Sequence, residues 1–555
     1  MSVPTTQQSL NSIDLEQGEV TKNYSIDAGF EALKEEIKDS KQTELELQEQ
    51  SLASLLESID KVNFQLEKEP KLNEWRKEAL TLAKTVLDAE GHPIDEESED
   101  FIKYEKLKKW INSVKVRRQE YSVLVINVFK KMVLAKDLDV KVCDKEISFY
   151  NGKCWQGITE ERFTSFLSNV AEKMGLSELV YEHHTFGTDL IKQFIHKNFI
   201  QFVTDSKNTC INVQNGTLKF YKGKATFHPH NKKDNLHYVL TFDYKPEATC
   251  PLFIDYLEYC LPDEEKRKVL QEFLGYVFTP NEVLNLEKFL LLYGSGSNGK
   301  SVLTFIIYAL YGKINISSYS FAQLTDKQKG EYYIVNLQHK LLNICSDASG
   351  SIGDSGPLKQ IASGENITGR HPAGRPVEFV CNAKLINVLN TLPSAPENVH
   401  GFFRRFEIID FNVTIEEEKK DRQLTSKIIE NELSGVLNWI LIGLDRLLTN
   451  RKLTDCKANN EVLEQYKIKS NNVLEFLLDE GFETVTNIEH GLIFNDLYQS
   501  YVNWINENGG HALKKSNFKD RIDASKIAGK QVFRNEKCNG NKHKVNISKK
   551  YDYEL

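Results

Sequence analysis

The chain has 555 residues, 40% hydrophobic, 27% charged and 10% aromatic, a balance that fits several folded domains and excludes fibrous and wholly disordered classes. Its formal net charge is −8, no run approaches the ~20 apolar residues of a membrane span, and the start lacks a secretory signal, so a cytoplasmic protein with no membrane partner is expected. The nine cysteines include no C-x-x-C pair, which argues for reduced thiols rather than a zinc ribbon or a disulfide framework.

Residues 1–115 are polar and acidic and read as a partly helical or flexible region. From 116 to 270 a small α+β domain is expected: YSVLVINVFKKMVLAK is helix-like, EISFYNGKCWQGI reads as a hairpin turning at Asn151-Gly152, and NVQNGTLKFYKGKATFHPH turns at Asn215-Gly216 and again near Gly223. A helical approach, LFIDYLEYCLPDEEKRKVLQEFLGYVF, leads into a core at 271–415, helices at 416–478 and a basic domain at 479–555.

The core carries the chemistry. KFLLLY (Lys288 to Tyr293) reads as a buried parallel strand, GSGSNGKS follows it, and VLTFIIYALYG continues as a helix. The loop Gly294, Ser295, Gly296, Ser297, Asn298, Gly299, Lys300, Ser301 matches G-x-x-x-x-G-K-[ST], in which glycines let backbone N–H groups face phosphate oxygens, the lysine adds a point charge and the serine hydroxyl ligates Mg²⁺. A second apolar run, KLLNICSD, ends in Asp347, placed to hold the metal or polarise water, and a third, KLINVLN, ends in Asn390, either a γ-phosphate sensor or a turn residue before Pro393.

GSGSNGKS, KLLNICSD, LKQIASGENITGR, KLINVLNTLP and FFRRFEIIDF, in that order, resemble the motifs of superfamily 3 helicases, in the viral, phage and plasmid primase–helicase branch with its poxvirus-type C-terminal region. The likeness extends from Asn212 to Glu475 through FHPHNKKDNL, YKPEATCPLF and LSGVLNWILIGLDRLL. It implies an α/β, AAA+-like P-loop ATPase core, ATP and Mg²⁺ as cofactors, Ser301 and Asp347 at the metal, Asn390 as sensor, and Arg405 with Arg404 as the arginine finger of a homo-hexameric ring. Family members commonly carry glutamate at the position of Asp347, which is one methylene shorter. The resemblance also implies 3′ to 5′ movement on single-stranded or forked DNA, a separate primase or polymerase as partner, and, for a viral or phage chain, the host cytoplasm.

Between Asp347 and Asn390 the stretch ENITGRHPAGRPVEF reads as a hairpin whose tip bears Arg370, His371 and Arg375, which the resemblance makes a DNA-gripping loop. From Lys514 to Lys550 twelve basic residues face three acidic ones. The order helix, turn, helix and two strands there reads as a winged-helix-like domain, with Lys514, Lys515, Lys519 and Arg521 as DNA contacts. Asp137 and Asp139 form the sole D-x-D in a short charged turn, so no primase activity is expected. A replication initiator or scaffold with little turnover, and a small-molecule phosphate-loop kinase, remain the alternatives.

Overall fold

The computed structural model describes residues 46, 48–143, 146–198, 208–221, 224–346, 352–372, 374–393, 400–509, 511–534 and 543–549. Asp347 lies outside them, as do Lys537, Lys542 and Lys550 of the basic tail and the turn expected near Gly223. The chain is mixed α/β with a parallel sheet. Among the described residues no helix is long and apolar enough to cross a membrane, and Cys154, Cys250, Cys260, Cys381 and Cys456 are buried thiols.

The first part begins with an antiparallel helical hairpin, α1 (Leu72–Val86) and α2 (Glu99–Ser113), in which Ser98 caps the second helix through Phe101 N and the Trp75 and Trp110 rings lie 5.3 Å apart. Helix α3 (Arg118–Ala135) follows, then the meander β1 (Asp139–Cys143), β2 (Glu146–Tyr150) and β3 (Trp155–Ile158), then α4 (Glu160–Lys173) and α5 (His184–Asn198). The β2–β3 turn falls at Asn151-Gly152, with Gly152 at φ +92°. Leu52, Leu55, Ile59 and Phe64 share one buried cluster with Val125, Phe129, Phe163 and Phe194. A boundary at 115 therefore cuts through a single core, and the polar composition of the first hundred residues concealed the four apolar side chains that join it.

A second meander, β4 (Thr209–Val213), β5 (Gly216–Tyr221) and β6 (Lys224–His228), precedes two helices, α6 (Pro251–Cys260) and α7 (Glu264–Tyr276). The segment expected as one helical approach divides at Pro262, with Asp263 capping α7 through Glu265 N and Lys266 N. Residue 270 lies inside α7, and the boundary drawn there fails because Ile211, Leu218, Phe253 and Phe273 belong to one cluster with the sheet that follows.

That sheet has five strands: β7 (Phe289–Tyr293), β8 (Ile316–Ser317), β9 (Leu342–Ser346), β12 (Lys384–Leu389) and β13 (Phe406–Asp410), in the order β13-β7-β12-β9-β8, with every pairing parallel. Between β9 and β12 the chain forms α9 (Gly356–Ser363) and an antiparallel hairpin, β10 (Asn366–Arg370) and β11 (Pro376–Val380). Strand β7 is apolar throughout because both its faces are covered. Leu290 and Leu292 pack with α8 (Lys300–Tyr311) on one side, and Phe289 and Leu291 pack with Phe321, Phe406 and Ile408 on the other.

Helix α10 (Leu433–Asn450) lies against α7 through glycines. A Cβ on Gly275 would stand 2.8 Å from that of Leu444, and one on Gly443 2.6 Å from Gln271. The same pair buries Glu272, whose carboxylate accepts from Arg446 Nε at 2.5 Å and from Thr454 N and Oγ1 at 2.7 Å each. Helix α11 (Lys457–Ser470) covers the outer edge of β13, with Tyr466 edge-on to Phe406.

The C-terminal part comprises α12 (Asn472–Asp479), β14 (Phe482–Thr484), β15 (Leu492–Ile493), α13 (Phe494–Glu507), α14 (Lys515–Ala524) and four short strands, β16 (Lys526–Ile527), β17 (Lys530–Gln531), β18 (Lys544–Val545) and β19 (Ile547–Lys549). Its core runs from Val473 to Ile547, so the boundary drawn at 478 falls within its first helix.

Candidate nucleotide site and nucleic-acid surfaces

The loop from Gly294 to Gly299 joins the carboxyl end of β7 to the N-terminus of α8. In an open parallel sheet that crevice is where ligands bind. Three consecutive demands shape it. Gly296 and Gly299 have φ of +105° and +88°, which glycine takes without strain, and Ser297 between them is left-handed at +50°. A Cβ on Gly294 would fall 2.7 Å from Phe411 O, so the loop closes tightly on the segment after β13. Asn298 Nδ2 donates to that same carbonyl at 3.0 Å, and Ile415 N donates to Ser297 O at 2.8 Å.

Lys300 is 5% exposed, and its Nζ donates to Gly294 O at 2.7 Å and to Asn298 Oδ1 at 2.9 Å. The ammonium is thus held over the loop by the loop's own oxygens. No acidic residue occupies the first turn of α8, which leaves the positive end of that helix suited to an anion. Left-handed glycines, a helix N-terminus and a lysine over them form a donor set that fits a phosphate group, with Ser301 half-buried at the next position.

Two supports were not legible in the motif. Tyr256 of α6, 6% exposed, donates from Oη to Gly299 O at 2.8 Å, and Cys260 Sγ lies 2.6 Å from where a Gly299 Cβ would be. Lys266 of α7 and Asp410 at the end of β13 form a buried ion pair at 2.5 Å, and Asn412 bonds the same carboxylate. Their sequence signal is weak, because each acts across a tertiary contact between distant segments.

Strand β12 lies between β7 and β9, so the end of β12 is next to the strand that leads into the glycine loop. Asn390, one residue past that end, is exposed, and Gly294 N donates to Leu389 O at 3.2 Å. Strand β9 ends at Ser346 in register with Val388, and Asp347 follows outside the described residues.

Arg404 and Arg405 precede β13 and sit at the opposite end of the sheet, where Phe289 N donates to Arg405 O at 2.6 Å. With five residues of strand between, at ~3.3 Å each, neither is positioned for the loop of its own chain. The two side chains differ. Arg405 is 8% exposed, bonded to Ser363 Oγ and paired with Glu287 Oε2, both at 3.0 Å, whereas Arg404 is 66% exposed and reaches the same Glu287 oxygen at 3.1 Å.

The β10–β11 hairpin carries Arg370, His371 and Arg375 exposed at its tip, where Arg370 Nε donates to Gly374 O at 3.0 Å. It is pinned just below the tip at Gly369, paired with Val377, where a Cβ would stand 2.7 Å from Val335 Cα. In the C-terminal part Lys514, Lys515 and Lys519 are exposed along α14, with Lys515 over the rings of Tyr498 and Phe494. Arg521 departs from the expected set. It is half-buried and donates to Asn472 Oδ1 at 3.0 Å, because its place on the inner flank of α14 turns it towards α12.

Fold and site together define a mixed α/β protein with a parallel sheet whose central crevice is shaped for an anion. Residues 127–262 match the family described as "D5 N terminal like", and residues 292–405 match a family of unknown function, DUF5906. Two curated relatives come from iridescent viruses. A protein of Invertebrate iridescent virus 3, named provisionally as helicase 121R, is 24% identical over 319 residues, covering 52% of this chain and 33% of that protein. One of Invertebrate iridescent virus 6, named provisionally as helicase 184R, is 23% identical over 278 residues, covering 42% and 27%. This chain therefore spans about a third of the length of the curated relatives it matches. The solved C-terminal region of NrS-1 aligns with 75% of this chain and 97% of its own at 14% identity and a TM-score of 0.44, a likeness too distant to support a conclusion. The family matches and the helicase-named relatives fit a viral or phage primase–helicase family.

Proposed function

We propose that this chain is an ATP-driven helicase or translocase that acts on DNA during replication of a virus, phage, plasmid or other mobile element, assembled as a ring. The observation that carries the proposal is the glycine loop between β7 and α8 with Lys300 held over it at the carboxyl end of a parallel sheet. The helicase names of the viral relatives support the class of activity.

On this reading the N–H groups at the start of α8 and the Lys300 ammonium bind the terminal phosphates of ATP, the ammonium exchanging Gly294 O and Asn298 Oδ1 for phosphate oxygens. Ser301 and Asp347 would hold Mg²⁺, whose charge offsets that developing on the phosphates. Asn390, beside the loop at the end of β12, orients the attacking water. Arg405, with Arg404 as its neighbour and both remote from their own loop, serves the nucleotide of a neighbouring copy, where such a finger raises the rate by ~10³ or more. Arg370, His371 and Arg375 grip the phosphate backbone of a single strand, and Lys514, Lys515 and Lys519 contact duplex ahead of it.

ATP hydrolysis by the wild type and Lys300→Ala, with and without single-stranded DNA, on particles sized by light scattering, tests the proposal. Ring-sized particles with Lys300-dependent turnover that rises with DNA are expected, followed by strand displacement on a forked substrate. Turnover by a small oligomer that ignores DNA would remove the motor reading.

A further inference from the structure

The arginine pair is not presented as it stands. Arg405 is almost fully covered, and its guanidinium is engaged by Glu287 and Ser363 at 3.0 Å each. Glu287 itself is held in an unusual conformation. Its φ is +52°, a left-handed value that a residue with a side chain adopts only at a cost, and its N–H donates to Asn285 Oδ1 at 3.0 Å. That backbone turn brings one carboxylate oxygen onto both Arg404 and Arg405. Two residues further on, Phe289 opens β7, the strand whose other end is the phosphate loop.

A carboxylate and a terminal phosphate compete for the same guanidinium face, since each accepts charge-assisted hydrogen bonds from it. We propose that Glu287 is a positioning residue that holds Arg405 back, and that Arg405 reaches the nucleotide of a neighbouring copy only when that phosphate displaces the Glu287 carboxylate. Arg404, two-thirds exposed, stays on Glu287 as the more open member of the pair. The inference rests on the reading of the chain as a multimeric ATPase and adds the residue that sets when its arginine acts. Because Glu287 leads directly into β7, the release at one end of that strand occurs on the element that carries the chain's own loop.

The test is steady-state ATP turnover without DNA by wild type, Glu287→Gln, Ser363→Ala, Arg405→Ala and the double variant Glu287→Gln/Arg405→Ala, each checked for fold by circular dichroism. Glu287→Gln should raise kcat on the order of tenfold, the scale of one charge-assisted bond, with a smaller change in KM. Ser363→Ala, which loosens the same guanidinium without unbalancing charge, should raise kcat by a smaller factor, and so tests the latch if Glu287→Gln fails to fold. The double variant should fall to the level of Arg405→Ala. A Glu287→Gln rate at or below wild type, or a raised rate that survives loss of Arg405, overturns the proposal while leaving the ATPase reading in place. Turnover indifferent to both Arg405→Ala and Lys300→Ala would show that the ATPase reading itself, and with it this inference, is wrong.

Discussion

Replacing Tyr256 by phenylalanine removes one hydroxyl that donates to the glycine loop and little else. The ring stays buried in its cluster, and Gly299 O keeps a second donor, Leu303 N at 3.2 Å, so no acceptor is orphaned. The cost to folding is therefore that of one neutral buried hydrogen bond, about 1 kcal/mol, rather than the larger penalty of an unpaired carbonyl. Gly299 is also where the loop turns left-handed into α8, and the hydroxyl ties that turn to α6. Losing about 1 kcal/mol of preorganisation corresponds to roughly fivefold weaker binding. Titration of a fluorescent ATP analogue with Mg²⁺ against wild type and Tyr256→Phe, read by anisotropy, should show that loss. Gly299→Ala should be worse, since it adds backbone strain at φ +88° and places a methyl 2.6 Å from Cys260 Sγ. A folded Tyr256→Phe protein with wild-type affinity would refute the argument that α6 positions the loop.

Gly275→Val should separate α7 from α10, because even a Cβ meets Leu444 at 2.8 Å; a loss on the order of 1–3 kcal/mol should appear as a lowered thermal midpoint, and an unchanged midpoint would contradict the close packing. Burial pulls the Lys384 ammonium down from 10.5 to about 7, so the folded chain gives up that proton near neutrality while the unfolded chain keeps it to ~10.4. The wild type should therefore gain stability relative to Lys384→Met as pH rises from 7 to 10, with no such gain below pH 7; a midpoint difference that stays flat across that window argues against the neutral buried amine. Arg370→Ala/Arg375→Ala should weaken single-strand binding and flatten its salt dependence by up to about two phosphate contacts, whereas Lys514→Ala/Lys519→Ala should weaken duplex binding. Equal effects on both substrates would erase the distinction between the hairpin and α14.

The elements that carry chemistry were legible because their patterns are local. A five-residue apolar run before a glycine loop has few alternatives to a buried parallel strand, and β7, β9 and β12 lie where such runs stand in the chain. Both hairpins likewise form, the first around Asn151-Gly152 and the second one residue earlier than expected, at Gln214-Asn215, with Gly216 already paired to Val213. What composition misplaced were the divisions between cores. Leu52 to Phe64 look like sparse apolar residues in an acidic tether until α3 arrives to bury them, and β4 to β6 read as part of the preceding domain although Ile211 and Leu218 pack with the sheet that follows. The site divides in the same way. The loop residues are set by backbone geometry that glycine positions announce, whereas the sequestering of Arg405 by Glu287 and Ser363 and the inward turn of Arg521 depend on partners dozens to a hundred residues away.

The pairing of β13 with β7, in register from Phe406 with Phe289 to Asp410 with Tyr293, has a consequence for how the chain is made. Strand β7 leaves the ribosome long before its outer neighbour exists. At ~5–20 residues per second, the wait is on the order of 10 s, during which a fully apolar strand has an open edge of the kind that recruits other chains. Any fragment that keeps β7 but stops short of Phe406 makes that interval permanent, and one trimmed to the matched segment 292–405 also cuts away Phe289 to Leu291 of β7 itself. Expression pieces that run past Asp410 to Ser470 would add both the closing strand and α11, which covers it.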